Sequence, residues 1–126
     1  METKKYPVLV VENNTDRRRA LRESLLKVPE IELYSAITLG RMFDLLRERG
    51  YDAMVFDLAM AEMHKRIGYN SLIGVRKDKP GMLILGFSYR QSWLNMFNDY
   101  HPSVDVVVEN GDIATLTKTL RGLLAG

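Results

Sequence analysis

The chain has 126 residues, 46% of them apolar and 27% charged, with 9 Gly and 4 Pro. That composition is the profile of one globular domain able to bury about two-thirds of its unfolded surface, and it excludes collagen-like, mucin-like and disordered chains. With no Cys and a net charge of +2, disulfides, thiol catalysis, iron–sulfur clusters and thiolate zinc sites are excluded, and nothing in the charge implies nucleic acid or an anionic membrane as partner.

In chain order, Met1 to Pro7 leads into the apolar run Val8–Val11, too short for a signal peptide or a membrane span, so a cytoplasmic protein is expected. Pro7–Val11 predicts the first strand. Asn14 or Thr15 caps a first helix marked by Leu21, Leu25 and Val28. Its basic run, Arg17, Arg18, Arg19 and Arg22, has no stacking aromatics and reads as a solvated face. Ile31–Tyr34 is the second strand. A second helix opens at Thr38, carries Leu39, Met42, Phe43 and Leu46 on one face, and stops at Gly50. Ala53–Phe56 is the third strand, Asn70–Lys77 a short third helix, and Met82–Phe87 the fourth strand. Trp93, Met96, Phe97 and Tyr100 make a fourth helical stripe, Val104–Val108 a fifth strand, and Ile113, Leu116, Leu120 and Leu123 a last helix capped by Asp112.

All these strands but the second are nearly continuously apolar, which belongs in a sheet covered on both faces. Five strands and five helices in alternation, joined by right-handed crossovers, predict a single α/β domain over residues 1–126 with a five-stranded parallel sheet. Chemistry in such sheets sits beyond the carboxyl ends of the strands. Those ends hold Glu12 and Asn13, Asp57, Ser88, and Glu109 and Asn110. Three carboxylates, carboxamides and a hydroxyl on one rim suit a hard cation such as Mg²⁺, beside which an Asp can act as a nucleophile toward a phosphoryl group. Polar residues are also what any strand end carries into a loop; the joint occurrence carries the argument.

From Tyr6 to Leu124 the sequence resembles the receiver domain of bacterial response regulators. ValLeuValValGluAsn (8–13) looks like the family's first strand with its acidic pair, ValPheAspLeuAlaMet (55–60) like the strand bearing the phosphoacceptor, and GlyTyrAsnSerLeuIleGlyValArg (68–76) like the third helix, after a loop about three residues longer than usual. LeuIleLeuGlyPheSerTyr (83–89) resembles the strand ending in the switch hydroxyl, and AspValValValGluAsn (105–110) stands where the family ends a strand in Lys-Pro. The resemblance implies the flavodoxin-like receiver fold, strand order 2-1-3-4-5. It implies phosphorylation of Asp57 by a histidine kinase, with Mg²⁺ held by Glu12, Asn13, Asp57 and the Ala59 carbonyl, and Ser88 and Val106 at the switch positions.

Several departures point to an atypical member. Asn13 replaces a metal carboxylate, so Mg²⁺ binding is expected to be weak, at roughly 10⁻³ M or poorer. Glu109 replaces the family's Lys, leaving Glu12, Asp57 and Glu109 at a total of −3 where the family's site totals −2. Tyr89 is bulky beside the switch hydroxyl, Val106 replaces the switch aromatic, and Ala61 replaces a Pro. These changes predict a protein-interaction module with an impaired phosphorylation switch. Its partner is a histidine kinase or other signalling protein, and Trp93 and Tyr100 mark a face, between the fourth and last helices, that is either core or the anchor of a partner or homodimer contact. The conventional Mg²⁺-dependent receiver is the alternative. His64 and His101 read as loop and turn residues, the Met residues as core fillers. No GxGxxG, P-loop or Gly-x-Ser-x-Gly is present, so an independent enzyme is not expected.

Overall fold

The structure, a computed structural model, describes residues 4–63, 66–87, 103–108 and 112–126. Its elements are β1 (Tyr6–Val11), α1 (Thr15–Leu25), β2 (Ile31–Ala36), α2 (Leu39–Glu48), β3 (Ala53–Asp57), α3 (Leu58–Met63), α4 (Arg66–Asp78), β4 (Leu83–Phe87), β5 (Val106–Val108) and α5 (Ile113–Ala125). The strands form one parallel sheet in the order β2-β1-β3-β4-β5, as expected.

Side chains alternate across the sheet into two cores. Leu9, Val11, Met54, Phe56 and Ile84 face α2 and α4, with Met42, Leu46 and Leu72 packed on them. Val8, Val10, Val55, Leu85 and Phe87 face α1 and α5, with Leu21, Leu25, Leu116 and Leu120. Continuous apolar runs in β1, β3 and β4 are thus accounted for by burial on both faces. Leu123, expected in the last helix's buried stripe, is 38% exposed, and Leu124 packs on the core instead.

Sequence signals set most helix starts. Asn14 caps α1, its side chain accepting from the Arg17 amide at 3.0 Å, and Thr15 is the first helical residue. Thr38 and Asp112 cap α2 and α5 in the same way, through Arg41 and Thr115. The end of α2 differs from expectation: Arg49 closes it in an extended conformation, so Gly50 does not act as a left-handed stop. The Arg49 guanidinium lies over the Tyr34 and Tyr51 rings, at 4.6 and 5.8 Å, and pairs with Glu32 at 3.1 Å.

After β3 the chain goes directly into α3, where an elongated loop was expected, and α4 begins at Arg66, ahead of the expected Asn70. The run LeuAlaMetAlaGluMet consists of strong helix formers, which explains the extra turn. Leu58, its first residue, lies against Gly86 of β4: a Cβ at Gly86 would come within 3.0 Å of Leu58 Cδ2. Gly86→Val is therefore expected to destabilise the fold by about 1–3 kcal/mol through overpacking, and Gly86→Ala by less, since the Leu58 side chain can turn aside. Urea denaturation of the two variants checks the ranking. An equal loss in both would show that backbone freedom, not the Leu58 contact, fixes this glycine.

Candidate functional site

β1 and β3 are central neighbours in the sheet, so their carboxyl ends lie side by side and carry Glu12 and Asp57 to one rim. Both are buried, at 0% and 1% exposure. The Glu12 amide donates to the Ala36 carbonyl at 3.1 Å, which continues the β1–β2 pairing by one residue and fixes the start of the loop. Glu12 Oε1 accepts from the Asn14 amide at 2.9 Å, and Asp57 Oδ1 accepts from the Ala59 amide at 2.9 Å.

The other two oxygens, Glu12 Oε2 and Asp57 Oδ2, are buried and receive no hydrogen bond from any described residue. Burial without donors disfavours the charged form. Desolvation accordingly pushes the Glu12 carboxyl from its ordinary 4.5 up to about 7, with the neighbouring Asp57 charge adding to the rise and the Asn14 amide opposing it. Asp57 is also raised by burial, but the Ala59 amide, the Glu12 side chain and Arg17 all pull it back. Burial thus raises both carboxyls of the pair, with more opposing contacts at Asp57 than at Glu12.

Arg17 was not singled out among the basic run, yet its Nη1 stands 4.0 Å from Asp57 Oδ2. The legible signal was its place one turn into a helix whose cap stands two residues after Glu12: Asn14 sets the helix start, and the third residue after the cap swings back over the rim. At 35% exposure the guanidinium is half in solvent, half over the carboxyl pair. Asn13 is partly buried beside Glu12. Ala59 lies in the first turn of α3, where a helical carbonyl is directed along the axis to the amide four residues on. Val106 opens β5, paired with Leu85 of β4.

The structure therefore brings together Glu12, Asn13 and Asp57, and adds Arg17. Ser88, Glu109, Trp93 and Tyr100 lie outside the described residues, as do Tyr89, Asn110 and His64. Among the described residues no group of three His, Asp or Glu side chains is placed to hold a metal ion.

No protein-family model matches the chain, and no curated protein does. Solved structures do. The signal receiver domain of an HD domain-containing protein from Pseudomonas fluorescens Pf-5 superposes with a TM-score of 0.82 at 15% identity, over 97% of this chain and 96% of that one. A LuxR-family two-component response regulator from Aurantimonas sp. SI85-9A1 gives 0.79 at 21% identity, over 98% and 87%. The receiver domain of the Francisella response regulator 1452 gives 0.77 at 18%, over 94% and 96%. The chain has the receiver-domain fold. The strand order is the one expected of that fold. Among the described residues no helix is long and apolar enough to cross a membrane.

Proposed function

We propose that the chain is a signal-receiver module of a two-component or phosphorelay system, in which phosphoryl transfer to Asp57 is weakened and output comes mainly through contact with a histidine kinase or other signalling protein in the cytoplasm. The observation that carries this reading is the buried Glu12–Asp57 pair at the carboxyl rim of a receiver-fold sheet. Asp57 Oδ2 is the oxygen left without a donor, so it is the atom suited to form the new O–P bond as the donor's bond to phosphorus breaks. A carboxyl buried to 1% exposure and next to a second acid is a poor acceptor of further negative charge. Interaction through Trp93 and Tyr100, and self-association on the same face, belong to this proposal.

Glu12 Oε2, to which no described residue donates, suits a hard cation beside the attacking oxygen, and Asn13 offers a neutral oxygen next to it. Mg²⁺ held there would offset phosphoryl charge. The helical direction of the Ala59 carbonyl and the Arg17 guanidinium both work against it, in agreement with weak binding. Arg17 also favours the second reading, a conventional Mg²⁺-dependent receiver. Added to Glu12, Asp57 and Glu109, its single positive charge brings the −3 of the acids to −2, the total of a rim with the family's Lys.

Incubation with Mg²⁺ and a small phosphodonor, read by intact mass, separates the two. The wild-type chain is expected to label slowly and incompletely. Asn13→Asp with Glu109→Lys is expected to raise the labelled fraction several-fold, and Asp57→Asn to abolish it. Full, stable labelling of the wild type on Asp57, with the double variant no better, would replace this reading with the conventional one.

A further inference from the structure

The arginines whose side chains are described divide into two groups. Arg17, Arg41, Arg47, Arg49, Arg76 and Arg121 each face a carboxylate within 4.0 Å. Arg18, Arg19 and Arg22 face none among the described residues, although Asp16 and Glu23 lie on the same helix. These three line one cavity of about 200 Å³ between α1 and the edge strand β2, together with the hydroxyl residues Thr15 and Ser35. Thr15, Arg18 and Arg22 follow helical three- and four-residue spacing, and Arg19 lies four residues after Thr15, so α1 turns all of them toward β2. Among the described residues, the one hydrogen bond that these guanidiniums donate is long, Arg18 Nη1 to the Glu12 carbonyl at 3.5 Å.

Like charges at this spacing repel and lower helix stability. The cost is removed by an anion that takes several guanidinium N–H groups at once. A phosphoryl group, with three or more oxygens sharing its charge, can engage several arginine forks at once, which chloride cannot do and a carboxylate with two oxygens does less fully, and the two hydroxyls complete the donor set. At about 200 Å³ the cavity is smaller than the ~300–1,000 Å³ of pockets that enclose a whole small molecule. It has room for a phosphoryl headgroup with the rest of the ligand outside.

We propose that this cavity between α1 and β2 is a binding site for a small phosphoryl anion, a phosphomonoester or diphosphate, distinct from the Asp57 rim. The site needs no chemistry at Asp57, so it stands or falls separately from the function proposed above.

Amide NMR titration of the full chain without Mg²⁺, at constant ionic strength, tests it, using pyrophosphate, inorganic phosphate and phenyl phosphate as probes and chloride as control. Saturable shifts are expected at Thr15, Arg18, Arg19, Arg22 and Ser35, strongest for pyrophosphate. Phenyl phosphate binding as well as inorganic phosphate would assign the site to monoesters, and weaker binding would restrict it to phosphate and diphosphate. Arg18→Gln with Arg22→Gln keeps good helix formers at both positions, so its spectrum stays that of the folded protein while pyrophosphate affinity falls at least tenfold. Linear, chloride-like shifts, or unchanged affinity in the double variant, would overturn the proposal. So would a DNA duplex that binds tightly while pyrophosphate does not, which would make this face a polyanion surface.

Discussion

Glu12→Gln is expected to stabilise the fold by about 2–3 kcal/mol at pH 8 and to leave it unchanged at pH 4. The buried Glu12 carboxyl has its pKa raised from 4.5 to about 7, a displacement equivalent to about 3 kcal/mol. Below about pH 4.5 the side chain is protonated in the folded and the unfolded chain alike, and it makes no difference between them. Above that, the unfolded chain gives up the proton while the native one keeps it, so stability falls with rising pH until about pH 7, where the native carboxyl ionises as well. Asp57, also raised by burial, adds to the same slope. A carboxamide at position 12 never ionises, still accepts from the Asn14 amide, and brings N–H donors to the side of Asp57 Oδ2, which has none. Thermal denaturation of both proteins from pH 4 to 8 checks this: the curves should coincide at acid pH and separate by on the order of 10 °C in Tm at pH 8. A wild-type stability that rises between pH 5 and 7 would mean that Glu12 is ionised and compensated in the native state.

Arg76→Met is expected to cost about 3 kcal/mol, although the residue is far from the rim. From α4 its guanidinium donates to the Ser103 carbonyl at 3.2 Å and the Met82 carbonyl at 2.8 Å, and pairs with Asp105 at 2.6 Å. Asp105 Oδ2 in turn accepts from the Ile84 amide at 2.8 Å. One side chain thus fastens the entry to β4 and the entry to β5 onto α4. Methionine retains the apolar stem but leaves these carbonyls short of a donor, and hydrogen bonds to charged groups contribute about 1.5–3 kcal/mol each at partly buried sites. Asp105→Asn keeps an acceptor for Ile84 and is expected to cost only about 1 kcal/mol. Urea midpoints of the two single variants and the double variant measure the coupling. Additive losses would show that Arg76 and Asp105 act independently.

Much of this architecture was legible because burial on both sheet faces leaves continuous apolar runs: β1, β3 and β4 lie within a residue of where Pro7–Val11, Ala53–Phe56 and Met82–Phe87 placed them. β2 reaches Ala36, two residues beyond Tyr34, because its exposed Ser35 breaks the apolar pattern while the backbone pairing with β1 continues. β5 starts at Val106, later than Val104, because Asp105 turns its side chain onto Arg76 and Ile84. The helix Leu58–Met63 was hidden by the expectation of a loop after Asp57, though its residues favour helix. At the site, Glu12 and Asp57 were legible from their places at strand ends. Arg17 was not, because charge runs on an exposed helix carry no directional signal, and only the Asn14 cap decides which arginine faces the rim.

The order β2-β1-β3-β4-β5 leaves β2 as an edge strand of six residues, a length that invites sheet extension by a second chain. Its flanks carry cations: Arg18, Arg19 and Arg22 near Ser35, and Arg49 over Tyr34. A second chain adding along β2 would have to pass these long, hydrated cationic side chains, and charged side chains of this kind blunt an edge strand. The arginine cavity therefore also works as a device against aggregation. Sheet extension along β2 is thereby disfavoured, and ions that neutralise the arginines would weaken that protection.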